Sequence, residues 1–393
     1  MFALLRAPRK PLMRITALMS AFWLAACEPV STVGGNAGQR IEPGTAVQVA
    51  LLVPAGSGSA GEETIARSLR QAAELAIADL QGVDIDLRVY NTGGNAAQAA
   101  QVATRAVDEG AKIILGPVFA EAANAVGLAV APRNVNVLSF SNNSDIAGGN
   151  VFVLGPTFPN TAERLVSYAA SKGKRRIMLV HEQTPAGEIG ARAIEGAIGR
   201  SGATLAGKAG YPFSQQGVIG AVPGIASRVK AGDVDALFLT ADTAGALPLL
   251  TQMMSEQGVD PAATKFIGLT RWDIPPATLA LPGVQGGWFA LPDPALNQQF
   301  QSRFQAAYGE APHPIAGLAY DGIAAIGALA RSGRPDALTR AGLTQGSGFA
   351  GVSGVFRLRP DGTNERGLAV AEVRNGQVSV IDPAPRSFRG AGF

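Results

Sequence analysis

The chain of 393 residues is 47% hydrophobic and 16% charged, which excludes overall disorder and exceeds one ordinary core, so about two domains are expected. Its net charge of +3 comes from the first 26 residues, where Arg6, Arg9, Lys10 and Arg14 stand without an acid. The remainder is near neutral, with no dense Lys/Arg run among aromatics, which excludes a nucleic-acid surface, and the single cysteine excludes an internal disulfide.

After the basic start, Ile15–Ala26 is an apolar run too short for a membrane span of about 20 residues. Residues 1–26 therefore read as an export signal peptide. The run ends Leu24-Ala25-Ala26-Cys27, as bacterial lipoprotein leaders do, and Cys27 is expected to carry the lipid through its thiolate. The polar, Gly-rich residues 27–45 suit a flexible tether. Glu28 in place of Asp favours an anchor in the outer membrane, facing the periplasm.

Val47–Pro54 reads as a strand buried on both faces. Leu69, Ala73, Ala76 and Leu80 then recur at helical spacing. A strand over 86–90, a helix over 96–109 and a strand over 112–117 follow, the last punctuated by Gly110 and Pro117. Strands are expected at 136–141 and 151–155, a helix at 160–172, a strand at 176–181, a helix at 187–200 and a strand at 204–211. A helix over 216–231 has Pro223 as a start or kink. Strands at 236–241 and 265–270 bracket a helix at 244–257. This alternation predicts parallel sheets with helices on both faces.

The end of the chain changes character. A strand at 288–291 precedes helices at 295–308 and 315–332, then short strands at 355–358, 368–373 and 378–381. Asn375-Gly376 signals a hairpin between the last two. The expected fold class is α/β: two Rossmann-like lobes, several crossings between them, and a small antiparallel C-terminal addition. The expected partition places 46–156 and 285–345 in the first lobe, 157–284 and 346–383 in the second, and 384–393 in a tail.

Val47–Leu80, Tyr90–Thr104, Val107–Pro117 and Val151–Ser171, taken in order, resemble type I periplasmic binding proteins of the leucine/isoleucine/valine-binding group. The shared series is a strand ending in a small-residue loop, an Ala-rich helix, an extended strand, the helix AAQVATRAVDEG, then IILGP and VFVLGPT. The late segment GFAGVSGVFRLRPDGTNER (Gly348–Arg366) is similar to the penicillin-binding-protein-activator branch of lipoproteins. The resemblance implies a non-catalytic binding protein without cofactor. Its partner is then a peptidoglycan synthase or, alternatively, the permease of an ABC transporter for amino acids, with a possible small polar ligand.

Carried onto this chain, the resemblance puts a ligand against Ser57 and Gly58. A carboxylate falls near Phe119, Ala120, Ser141, Asn142 and Asn143, where helix starts favour anions. Phe119 and Ala120 replace a usual hydroxyl residue. An ammonium falls near Asp242 and Thr270, with Arg271 and Trp272 beside them, and Tyr320-Asp321 marks a helix at the cleft rim or the lobe hinge. Each lost donor in a buried site costs about 1–3 kcal/mol, so a standard amino acid is disfavoured. Gly56–Gly61 matches G-x-G-x-x-G, with Asp79 downstream, but an exported chain meets little dinucleotide. His181 and His313 are far apart and lack partners for a metal site. No G-x-S-x-G elbow is present, and Lys172–Arg176 reads as a solvated turn.

Overall fold

The computed structural model describes residues 38–388. The expected leader, Cys27 and most of the expected tether lie outside the described residues, as do 389–393.

The first sheet is parallel, with strands β1 (Val47–Val53), β2 (Ile85–Asn91), β3 (Ile113–Leu115), β4 (Asn136–Ser139) and β5 (Val151–Val153) in the order β2-β1-β3-β4-β5. Helices α1 (Ala60–Asp79), α2 (Ala96–Asp108) and α3 (Ala120–Val130) connect them. Strand β1 reads VQVALLV because alternate residues meet different helix layers. Val49, Leu51 and Val53 pack on Leu69 and Ala73 of α1, whereas Ala50 and Leu52 pack on Ala103 of α2 and Val126 of α3.

The second lobe alternates α4 (Phe158–Ser171), β6 (Arg176–Glu182), α5 (Pro185–Ser201), β7 (Thr204–Tyr211), α6 (Gln215–Lys230), β8 (Ala236–Leu239), α7 (Leu247–Glu256), β9 (Lys265–Gly268) and β10 (Trp288–Leu291). Pro223 lies inside α6, which runs through it. The chain then returns to the first lobe with α8 (Pro294–Tyr308), α9 (Ala316–Arg331) and the single turn α10 (Arg340–Leu343). Helix α9 packs so closely that a Cβ on Gly322 would stand 2.3 Å from Leu115 Cδ1, which is why that position has no side chain.

Three short strands follow: β11 (Phe349–Gly351), β12 (Gly354–Leu358) and β13 (Asn364–Arg366). Then comes the hairpin of β14 (Ala369–Arg374) and β15 (Gln377–Asp382), turning at Asn375 and Gly376 with φ of 52° and 73°. Both positive values fit a turn that matches strand twist. The second sheet has the order β15-β14-β10-β9-β8-β6-β7. Strands β10 to β7 are parallel and the hairpin adds antiparallel.

Two stretches depart from the expected partition. Residues 288–291, expected in the first lobe, pair with β9 and β14 in the second sheet, because a wholly apolar strand is stable only between neighbours. Strands β11 to β13, expected in the second lobe, form a separate antiparallel sheet whose Phe349, Phe356 and Leu358 are buried in the first core. The antiparallel addition is thus two pieces, not one.

Three segments cross between the lobes. One leaves the end of β5 for α4, one leaves the end of β10 for α8, and one joins β13 to β14. Ala369, the first residue of β14, pairs with Leu291, the last of β10. All three crossings therefore meet carboxyl ends of parallel strands, and both sheets present those edges to the junction.

A buried polar network holds the crossings. Asn364 Nδ2 donates to the Val153 and Gly155 carbonyls, both at 2.8 Å. Arg366 Nε donates to the Leu154 carbonyl at 2.8 Å, and its backbone N–H donates to Asn160 Oδ1 at 2.7 Å. Its Nη1 donates to Asp321 Oδ2 at 2.8 Å, while the Val352 N–H reaches Asp321 Oδ1 at 2.8 Å. Asp321 has no exposed surface. Burial pushes its carboxyl up, and the Arg366 guanidinium pulls it back. Arg366→Met leaves that carboxylate buried without a counter-charge and is expected to cost about 3–5 kcal/mol. Denaturant unfolding reads this directly, and a loss below about 1 kcal/mol would show that the pair does not hold the junction.

Candidate functional site

In sheets of this kind, ligands sit beyond the carboxyl ends of the strands. The loops after β1, β3 and β4 bring Ser57, Gly58, Phe119, Ala120, Ser141, Asn142 and Asn143 to that edge of the first sheet. Gly56 and Gly58 have φ of 85° and 80°, with open space where a Cβ would stand. They serve the turn rather than a close approach. Phe119 precedes α3 without a side-chain cap and its ring is 37% exposed. The Ser141 hydroxyl accepts from the Asn143 N–H at 3.1 Å, and Asn143 Oδ1 accepts from the Asp145 N–H at 2.9 Å, so both are engaged in a local turn. Asn142 is exposed.

On the second sheet the edge carries Asp242, Thr270 and Arg271. Arg271 is paired with Asp273 at 2.9 Å, and the Thr270 hydroxyl is buried without a hydrogen-bond partner. Trp272 turns the other way. Its indole has no exposed surface and lies between Gly268 and Gly287, with Phe289 at 6.3 Å between ring centroids. It is a core residue of the second lobe.

Tyr320 is also separate from the others. Its hydroxyl donates to Asp79, which accepts from Arg303 at 2.6 Å, and its ring packs on Phe300. Asp79 is the last residue of α1, about 28 Å along that helix from the loop holding Ser57. Asp321, its neighbour, belongs to the junction network.

Three edge residues escaped the sequence reading: Glu182, Tyr211 and Phe213. Glu182 ends β6 and is 8% exposed, and it accepts from the Tyr211 hydroxyl at 3.4 Å. Phe213, just past β7, is 61% exposed. They converge with Asp242 on Gly245. The point where a Cβ would stand lies 2.7 Å from Asp242 Oδ1, 3.2 Å from Phe213 Cε2 and 3.4 Å from Glu182 Oε1. Only a glycine fits there without a shift, and two carboxylates and an aromatic ring meet around it, a combination that suits a cation. The available signal was an acid closing the otherwise apolar run IMLVHE.

Burial pushes the Glu182 carboxyl up and the Asp242 charge adds to this, while the Ala246 N–H and the Tyr211 hydroxyl oppose them. Burial, then Glu182, drives the Tyr211 phenol strongly upward. Elsewhere, the first turn of α1 after the glycine loop carries Glu62 and Glu63, which oppose a pyrophosphate at that helix start. His181 is buried, with Nδ1 3.4 Å from Glu188. Among the described residues no group of His, Cys, Asp and Glu is placed to hold a metal, and no helix is long and apolar enough to cross a membrane. A cavity of about 1340 Å³ is an open groove on the flank of α4 and α5. It is spanned by the Glu163–Arg200, Glu163–Arg359 and Arg164–Asp382 ion pairs, and its lining includes none of Glu182, Phe213 and Asp242.

A family model described as periplasmic binding protein matches residues 46–377. The chain belongs to the periplasmic binding protein family. Among solved structures, a putative branched-chain amino acid ABC transporter protein from Rhodospirillum rubrum is 20% identical, with a TM-score of 0.72 over 86% of this chain and 100% of that one. A branched chain amino acid ABC transporter periplasmic ligand-binding protein from Burkholderia xenovorans is 18% identical, with a TM-score of 0.67 over 86% and 96%. An ABC transporter substrate-binding protein from Desulfitobacterium hafniense, in complex with Leu, is 17% identical, with a TM-score of 0.62 over 86% and 100%. These likenesses show the type I periplasmic binding protein fold. A search of curated proteins gave no match.

The raised Glu182 carboxyl makes a checkable statement. A carboxyl whose folded value exceeds its ordinary value of 4.5 favours the neutral form, so its stabilisation is complete below that value and is lost as pH climbs through the folded value. Glu182→Gln keeps the neutral shape. In thermal melts it is expected to exceed the parent Tm at neutral pH, with the gap closing toward pH 4.5. A pH-independent difference would contradict the burial of this charge.

Proposed function

We propose that this protein is the solute-binding component of an ABC transporter, capturing a small ligand between the carboxyl edges of its two lobes. The carrying observation is the convergence of Glu182, Asp242 and Phe213 around Gly245, on an edge that faces the three-segment junction. Lobe closure about that junction removes the ligand from water, and a permease reads the closed form. Binding, not bond-making, is what the site offers: two carboxylates and an aromatic ring hold charge and apolar surface.

The family and the leader over 1–26 support a periplasmic location, and Leu24-Ala25-Ala26-Cys27 supports a lipid anchor on Cys27. A permease partner lies in the inner membrane, so this reading favours an anchor there over the outer membrane. The activator reading draws less support. The segment Gly348–Arg366 that resembled the activator branch spends its apolar residues in the first core and its polar ones on the junction.

Thermal melts of the purified protein against amino acids, amines, amides and sugars test the proposal. A true ligand at 100 times its Kd stabilises by about 2.7 kcal/mol, and small-angle scattering should show compaction in the same sample. A flat response across the whole panel, with no compaction, would remove the solute-binding reading.

A further inference from the structure

We infer that the ligand's only charge is positive: it is an organic cation with an apolar body and no carboxylate to be recognised. This rests on the solute-binding reading and names the ligand class of the same site.

The first support is the distribution of charge along the two edges. The loops over 54–59, 92–95, 116–119, 140–143, 182–184, 212–214, 240–246 and 269–275 contain one cation, Arg271, and Asp273 neutralises it. Glu182 and Asp242 have no counter-charge. The body of the chain is near neutral, so this is a local concentration of negative charge. Such edges focus a field that draws cations into the junction.

The second support comes from the first lobe. Helix starts ordinarily attract a carboxylate, and α1 and α3 both begin at this edge without side-chain caps. Each, however, carries its own acid in the first turn: Glu62 and Glu63 in α1, Glu121 in α3. Glu63 already takes the Gly56 N–H at 2.6 Å, and one Glu62 oxygen is buried without a partner. The Ser139 hydroxyl donates to the Pro117 carbonyl at 3.1 Å, and Ser141 is held in its turn. An incoming carboxylate meets like charge there.

The third support is apolar surface left open on the same rim. Phe213 is 61% exposed, Ile274 47% and Phe119 37%. Thr243 fixes the Ile274 segment beside Asp242 by donating to the Ile274 carbonyl at 2.8 Å. Phe213 and Ile274 thus flank the two carboxylates, and Phe119 stands on the other lobe. An apolar body attached to the cation covers them.

Three probes of one shape separate the charges: phenethylamine is the cation, L-phenylalanine the zwitterion and 3-phenylpropionate the anion. Titration calorimetry on the purified protein is expected to show phenethylamine binding at least tenfold more tightly than L-phenylalanine, with 3-phenylpropionate silent. Asp242→Asn and Gly245→Ala are each expected to weaken phenethylamine at least tenfold. Gly245→Ala puts a Cβ 2.7 Å from Asp242 Oδ1 and so displaces that carboxylate, at a backbone φ that alanine tolerates, since Gly245 is not among the positive-φ glycines. Unchanged unfolding midpoints of the unliganded variants separate site loss from misfolding. Tighter binding of either carboxylate-bearing probe, no binding of phenethylamine, or full affinity in Gly245→Ala would overturn the inference. If L-phenylalanine binds best and Gly245→Ala abolishes it, the solute-binding reading survives and only the charge preference falls.

Discussion

The ion pair of Asp321 with Arg366 is the constraint on which the arrangement of the lobes depends. A buried charge pair is costly unless further hydrogen bonds serve its remaining donors and acceptors. Here the partners come from different parts of the chain, although Arg366 Nη2 is buried without one. The pair draws in the Leu154 carbonyl from the first crossing, the Asn160 side chain at the start of α4 and the Val352 N–H from the small sheet. Serving one guanidinium and one carboxylate thereby pins segments more than 200 residues apart in sequence at one place. The carboxyl edges of both sheets must then face the same junction, and whatever their loops hold becomes a shared site.

That geometry divides labour between buried and exposed polar groups. At the pivot, Asn364 Nδ2, Arg366 Nε and Asn160 make hydrogen bonds to backbone groups of the crossings and hold them in register, while Arg366 Nη2 and Asn364 Oδ1 are buried without a partner. At the edges, Glu182 and Asp242 lack counter-charges and Phe213 is 61% exposed, which is costly in the unliganded state. A protein keeps such cost where a ligand later relieves it. The large groove on the flank of α4 and α5 shows the contrast, because its acids Glu163 and Asp382 are already matched to arginines.

Much of this was legible in the amino-acid order. Runs such as VQVALLV and RIMLVHE mark strands covered on both faces, and the helices between them announce themselves through Ala at helical spacing. The Asn375-Gly376 turn was readable because only residues tolerant of positive φ fit it. Strands β11 and β13 were not legible: at three residues each, and with Asn364-Glu365-Arg366 polar, they carry no period. The sheet to which Trp288–Leu291 belongs was equally hidden, since an apolar strand does not state its neighbours. Asp242 was suggested by the family resemblance and stands at the edge beside Glu182, whereas Trp272, suggested with it, lies in the core because Gly268 and Gly287 leave room for the indole. Glu182 and Phe213 were missed because a strand-end acid and a lone loop aromatic acquire meaning only when folding sets them around Gly245.

A crystal structure of the protein grown with phenethylamine addresses the central claim directly. The account expects the lobes closed, the amine nitrogen within hydrogen-bond distance of both the Glu182 and Asp242 carboxylates, and the ligand ring against Phe213. Ligand density in the flank groove between α4 and α5, or in the junction but oriented with its ring at Gly245 and its amine in solvent, would contradict it.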